Sequence, residues 1–231
     1  MDNSMQAAVA APFTRLGIVV GMEAEAALIR PFFPAARFGI SGATLDGARR
    51  ATSTLLVSGV DAVLSFGLAA GLDPALYPGI VLLPRHVMVD GTRIPTDPAL
   101  SDWLGHGLRT VRRGDLLHSD VIVSDAHHKA ELFAQSGCEG LDMESGVVAK
   151  LCSERKVAFA VLRVVCDPAD RTLPPAAVVA LQPGGGIALG AILRNVLAHP
   201  GQIPALIQVG RDAGMARKAA RAMLRRRFDA D

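Results

Sequence analysis

Hydrophobic residues in this chain fall in short blocks separated by polar and helical stretches. Arg15 to Val20 reads as a first buried strand, followed by a glycine turn and a helix from about Met22 to Arg30, where Pro31 stops it. A short strand is predicted around Phe38 to Ser41. Asp46 to Ser58 fits either a helix or a strand pair, since its Thr and Val favour β and its Ala and Arg favour α. Ala62 to Phe66, Ile80 to Leu83, Val87 to Val89, Val121 to Val123 and Val157 to Cys166 supply further predicted strands. Beyond about Pro174 the chain reads as mainly helical. Apolar runs alternating with helical segments predict an α/β fold: one domain with a central mixed β-sheet flanked by helices.

The 231 residues are enough for one such domain with a sizeable core. Half are apolar and a fifth charged, which excludes a disordered chain. A net charge of +2 argues against a nucleic-acid partner. Cys138, Cys152 and Cys166 show no C-x-x-C spacing and read as free thiols, and no metal site is expected. The N-terminal MDNSMQAAVAAPFTR lacks the basic start and long apolar run of a secretory signal, so a cytoplasmic location is expected. Thr172 to Leu193 carries no charge, yet Pro174, Pro175, Pro183 and Gly184 to Gly186 would break a spanning helix. It reads as a loop leading into a buried helix. Arg211 to Arg227 holds seven basic residues and one acid, Asp212. It fits a solvated terminal helix, or a basic amphipathic helix in peripheral contact with an anionic membrane.

Candidate chemistry concentrates in a few phrases. In GIVVGMEAEA, Glu23 and Glu25 open the first helix, where its dipole favours acids, and Glu25 is placed to act as a general base. LDMES is predicted to open a helix. Its Asp142 and Glu144, two residues apart, would face different ways, and Glu144 could accept hydrogen bonds from a ribose diol. RVVCDPAD ends a buried strand at the edge where α/β sheets bind ligands. Asp167 there is a candidate proton donor, and Arg163, predicted on the same strand face, needs an anionic partner such as Glu25 or a bound phosphate. FGLAAGL, at the end of a strand, permits close backbone approach at Gly67 and Gly71, or a tight turn. His127 and His128 diverge too far for a metal site, but one of them could stack on a base.

Taken in order, GMEAEA, SGATLDGARRATSTLL, FGLAAGL, LDMES and RVVCDPAD make the chain from Leu16 to Asp170 resemble the purine nucleoside phosphorylases and methylthioadenosine/adenosylhomocysteine nucleosidases. The resemblance implies a nucleoside phosphorylase-like domain over 15–200 and a basic helical extension over 201–231. It implies N-glycosidic cleavage of an adenine nucleoside. Glu25, Asp167 and Arg163 would be catalytic: Glu25 orients the attacking water, Arg163 lies near it, and Asp167 is the acid at the purine N7. Met143 and Glu144 would hold the ribose and His127 would stack on the base. Gly67 and Leu68 would line the site.

Departures from the family pattern bear on the nucleophile. Leu68 stands where relatives carry a hydroxyl residue, Asp142 where many nucleosidases carry Glu, and GMEAEA lacks the arginine of phosphorylases, for which Arg49 or Arg50 would have to substitute. Water is therefore favoured, with inorganic phosphate retained as an alternative co-substrate and no other cofactor. The Ala-rich phrase and basic C-terminus resemble the hopanoid-associated phosphorylases, which implies a lipid-linked nucleoside, adenosylhopane, in hopanoid biosynthesis. The alternatives are a methylthioadenosine/adenosylhomocysteine nucleosidase and a non-catalytic nucleoside-binding module. The family also implies a homo-oligomer.

Overall fold

A computed structural model describes residues 10–180 and 198–228. In chain order the elements are β1 (Leu16–Val20), α1 (Glu23–Ile29), β2 (Arg37–Ile40), α2 (Leu45–Val57), β3 (Ala62–Gly71), β4 (Val81–Leu82), β5 (His86–Val89), β6 (Thr92–Pro95), α3 (Pro98–Gly105), β7 (Leu116–His118), α4 (Ala126–Ser136), β8 (Gly140–Asp142), α5 (Ser145–Arg155), β9 (Ala158–Asp167), α6 (Pro175–Ala180) and α7 (Ile203–Phe228). The nine strands form one mixed sheet. At its centre β2, β1, β3 and β9 run parallel, so the C-terminal ends of β1, β3 and β9 share one edge. β8 joins the far end of β3 in antiparallel fashion through Ala70 and Leu141, and continues into β7 and β5.

The central strands are apolar throughout because both of their faces are covered. Alternation still sorts the residues. Ile18, Val20, Leu64, Phe66, Leu162 and Val164 pack with Ile29 of α1, Trp103 and Leu104 of α3, and Ala216, Ala220, Met223 and Leu224 of α7. Val19, Val63, Val161 and Val165 pack on the other side with Leu55 of α2 and Val148 and Cys152 of α5. The basic C-terminal helix thus contributes a buried small-residue and Met/Leu face to the main core, while Arg217, Arg221, Arg225 and Arg226 are exposed and Arg227 donates to the Trp103 carbonyl. Phe13, Phe33, Trp103 and Phe228 close this side, with ring centroids 4.8–6.1 Å apart.

Local chemistry decides the segments where the sequence was ambiguous or misleading. The ambiguous Asp46 to Ser58 stretch is helical: Thr44 caps it by accepting from Gly47 N–H at 3.0 Å, and Thr52 bonds back to the Ala48 carbonyl at 2.7 Å. Val121 to Val123, expected as a strand, is a loop. The Ser119 hydroxyl takes both the carbonyl and the N–H of Val121, at 2.7 and 3.2 Å, and so diverts them from a ladder. The strand lies earlier, at β7. LDMES opens its helix later than expected. Gly140 to Asp142 form β8, and α5 starts only at Ser145, whose N–H is held by the Asp142 carboxylate at 3.2 Å. FGLAAGL makes no turn but continues β3 as far as Gly71.

The uncharged stretch beyond Pro174 is described only through α6, and its remainder to Leu193 lies outside the described residues, as do the first nine residues. Among the described residues no helix is long and apolar enough to cross a membrane.

Because α7 is part of the core, truncating its buried face should destabilise the whole domain. Leu224→Ala removes a fully buried side chain and is expected to cost about 2–5 kcal/mol, read as a lower urea midpoint with an unchanged slope.

Candidate functional site

The shared C-terminal edge of β1, β3 and β9 opens into a cavity of ≈ 210 Å³. Its lining includes Glu25, Asp142, Glu144 and Asp167, among apolar residues such as Met22, Leu68, Ile122, Val123, Met143 and Leu173. Four carboxylates meet there, and among the described residues no lysine or arginine belongs to the lining.

Each carboxylate is positioned differently. Glu25 sits in the first turn of α1. Its Oε2 accepts from Gly21 and Met22 N–H at 2.8 and 3.0 Å, and its Oε1 from Leu68 N–H at 3.2 Å. It therefore caps its own helix and is also tied to β3. Asp142, at the end of β8, accepts from Arg163 Nε at 2.6 Å and from the Ser145 hydroxyl at 2.5 Å. Glu144, just ahead of α5, accepts from the Ser41 hydroxyl and, at a longer 3.4 Å, from Arg163 Nη2. Burial pushes the Glu144 carboxyl up to about 7, against the pull of Arg163 and Ser41 and with help from the nearby Glu25 and Asp142 charges.

Arg163 has no solvent exposure and lies under the cavity floor, outside its lining. Burial alone would lower its proton affinity, but Asp142, Glu144 and Glu25 outweigh that and hold the guanidinium firmly charged. The expected partner was Glu25 or phosphate; the bonded partners are Asp142 and Glu144, with Ser65 and Ser145 accepting at 2.9 and 3.1 Å. Its Nη1 is buried and makes no hydrogen bond among the described residues. Gly67 pairs with Arg163 across β3 and β9, and a Cβ there would fall 2.6 Å from Nη1 and 2.9 Å from Glu25 Oε1. Only glycine lets the guanidinium and the Glu25 carboxylate converge on the strand.

The alternation expected to set Arg163 and Asp167 on one strand face is interrupted. The register shifts between Ala69, which pairs with Val165, and Ala70, which pairs with Asp167. This β-bulge re-aims the end of β9, so that Cys166 and Asp167 both line the cavity. Asp167 Oδ2 accepts from Lys129 Nζ at 2.7 Å, whereas Oδ1 is buried without a partner among the described residues. Burial raises the proton affinity of Asp167, opposed chiefly by Lys129. Burial likewise pushes the neighbouring Cys166 thiol up to about 12, so it is no nucleophile near neutrality.

The structure therefore gathers Glu25, Asp167, Met143, Glu144 and Leu68 in the cavity lining, with Gly67 and Arg163 directly behind. It does not bring His127 there. That residue lies on the first turn of α4 with its side chain 85% exposed, 3.3 Å from Glu131 one turn on. With no strand at Val121 to Val123, Asp125 becomes the N-cap of α4 and turns His127 to solvent. Ile122 and Val123 line the cavity instead. Arg49 and Arg50 are exposed on α2, outside the lining.

Sequence reading missed Ser41, Ser65, Ser145 and Lys129. The serines lie within or beside quoted phrases but are common polar residues there. Lys129 sits between unremarkable helix residues, and only its apolar-face position hinted at burial. Among the described residues no group of three His, Cys, Asp or Glu is arranged to hold a metal ion.

The profile of the phosphorylase superfamily matches residues 35–198, well over half of the chain. The chain belongs to the phosphorylase superfamily. No curated protein matches the sequence. Among solved structures the chain is similar to the 5′-methylthioadenosine/S-adenosylhomocysteine nucleosidase of Neisseria meningitidis in complex with methylthio-immucillin-A, at 18% identity and a TM-score of 0.66 over 92% of this chain and 98% of that one. It is also similar to a mutant of the futalosine hydrolase of Helicobacter pylori, at 16% identity and 0.64 over 92% and 99%. The nucleosidase of Colwellia psychrerythraea in complex with adenine matches at 16% and 0.62 over 90% and 98%. At these identities the likeness is one of fold, and it agrees with the mixed sheet flanked by helices.

The Glu144 carboxyl yields a prediction. Its folded value, raised to about 7, means it stabilises the fold in the protonated form, and that contribution is lost as pH rises through about 7. Glu144→Gln mimics the protonated state. Its melting temperature relative to the wild type is therefore expected to climb between pH 6 and 8, and parallel curves would show that Glu144 is already ionised at pH 6.

Proposed function

We propose that this protein cleaves the N-glycosidic bond of an adenine nucleoside with water as the nucleophile. The observation carrying this reading is the cavity's four carboxylates with no lining cation among the described residues. Cleavage of a glycosidic bond builds positive charge on the ribosyl ring, and fixed negative groups stabilise that charge as it develops. The ionised groups among them also oppose phosphate: two like charges 4 Å apart repel by about 4 kcal/mol at an effective dielectric constant near 20. Arg49 and Arg50 are too far out on α2 to offset this.

In this mechanism Glu25, with the Arg163 guanidinium behind it, orients a water and accepts its proton as the water oxygen bonds to C1′. The C1′–N9 bond breaks, its electron pair passes into the base, and Asp167 delivers its proton to N7. Adenine and the free sugar leave, and solvent restores the two carboxyls to their starting states. Glu144 accepts hydrogen bonds from the ribose hydroxyls while Met143 packs against the ring.

We assign the substrate as lipid-linked, adenosylhopane, in keeping with the resemblance to hopanoid-associated phosphorylases. Leu68, Ile122, Val123 and Leu173 give the cavity an apolar wall suited to an alkyl substituent. The outer face of α7 supports the same reading. Ile203, Ile207 and Met215 are exposed in its first half, and Arg217, Lys218, Arg221, Arg225 and Arg226 in its second. An apolar patch followed by a basic one matches an anionic bilayer surface. Arg171, a few residues past Asp167, is ion-paired to Asp212 of this helix, which ties it to the cavity rim.

The test is adenine release from adenosylhopane in phosphatidylglycerol vesicles, with and without phosphate. Release independent of phosphate is expected, falling about 10²–10⁴-fold in Asp167→Asn. The triple variant Arg217→Gln, Lys218→Gln, Arg221→Gln should lose vesicle activity while cleaving soluble nucleosides as before. Strict phosphate dependence would overturn the choice of nucleophile. Preference for methylthioadenosine would overturn the lipid assignment in favour of the small-nucleoside enzyme, and nucleoside binding without release would leave a binding module.

A further inference from the structure

Lys129 is a fully buried cation that the sequence motifs do not explain. It projects from α4 and spends all three ammonium hydrogens: on Asp167 Oδ2 at 2.7 Å, the Pro168 carbonyl at 3.1 Å and the Arg171 carbonyl at 2.9 Å. Burying an ammonium is costly unless its partners are fixed and numerous, so this arrangement holds the end of β9 and the following turn in one geometry. It also makes the two oxygens of Asp167 unequal. Oδ2 is taken by the ammonium, while Oδ1 is buried and has no partner among the described residues.

We infer that Lys129 is a positioning residue for Asp167: by holding Oδ2 it fixes the orientation of the carboxyl at the end of β9 and favours the proton on the other oxygen. A protonated carboxyl carries one O–H. The ammonium bonded to Oδ2 makes that oxygen the less basic of the two. This rests on Asp167 being the proton donor of the proposed reaction. Lys129 also sets the pH at which that donor works. Burial favours the protonated acid and the adjacent ammonium favours the carboxylate. The remaining charges around Asp167 are Arg171 and Asp170 in the next turn, the neutral Cys166 thiol, and Glu25, Asp142 and Glu144 across the cavity. Arg171 is engaged by Asp212. Among the described residues Lys129 is therefore the cation in direct contact with the acid.

The test compares the pH profiles of kcat for wild type, Lys129→Met and Asp167→Asn, using whichever adenine nucleoside the wild type cleaves. A general acid must be protonated, so kcat falls as pH rises through its pKa. Removing the ammonium leaves burial unopposed, and the falling limb of Lys129→Met is expected about 1–3 pH units higher. Its kcat should drop while KM changes little, because Lys129 does not line the cavity. A merely structural lysine would lower the amount of active protein and leave the limb where it was, and that result would overturn the inference. Should Lys129→Met fail to fold, Lys129→Gln, which can still donate to the Pro168 and Arg171 carbonyls, reads the same limb. Asp167→Asn separates the two levels. If it stays active, the proposed proton donor is wrong. If it is inactive and the Lys129 limb is unmoved, only the role of Lys129 is wrong.

Discussion

The site is organised by the burial of one guanidinium. Arg163 sits at the C-terminal edge of the parallel strands with no exposed surface, and a charge so placed survives only if acids and hydroxyls surround it. Asp142, Glu144, Ser65 and Ser145 meet that demand from β8, α5 and β3. The requirement explains why β8 crosses the end of β3 at Ala70 and Leu141, since that pairing brings Asp142 within 2.6 Å of Arg163. It also explains Gly67, where any side chain would enter the space shared by Arg163 and Glu25. One buried charge thus fixes the relative placement of three strands and a helix start.

The other acids divide into contrasting environments. Glu25 is held by three backbone N–H groups and ordered by its own helix. Glu144 is dominated by burial and shares Arg163 with a stronger claimant. Asp167 is buried as well but carries its own cation, Lys129. Chemically alike groups in unlike surroundings are how a single cavity supplies a base, a hydrogen-bond acceptor and an acid near neutral pH.

The fold was largely legible because periodicity and burial are properties of contiguous residues. Both faces of β1, β3 and β9 are covered, so their apolar runs stand out. Failures came where a local side chain intercepted the backbone: Ser119 took the Val121 groups and turned an apolar triplet into a loop, and Asp142 held Ser145 and delayed the start of α5. Most of the site was legible through the order of its motifs. His127 was misplaced because its position depended on that absent strand. Lys129 was invisible for a different reason: its partner is 38 residues away, and no spacing rule links a helix lysine to a distant strand end.

The charge balance of the whole region follows from these separate placements. Arg163 and Lys129 are the cations in contact with the site's acids, and both are buried behind the lining and committed to protein partners. They neutralise part of the carboxylate charge as seen from the protein, which keeps four acids compatible with folding. Neither lines the cavity, and even Nη1 of Arg163, unpartnered among the described residues, is buried. Viewed from the cavity, the surface is therefore apolar and acidic. Such a surface gains nothing from an anionic ground-state ligand and most from a group that turns positive during reaction, so the device that makes the acids tolerable in the folded chain also leaves them directed at a developing cation.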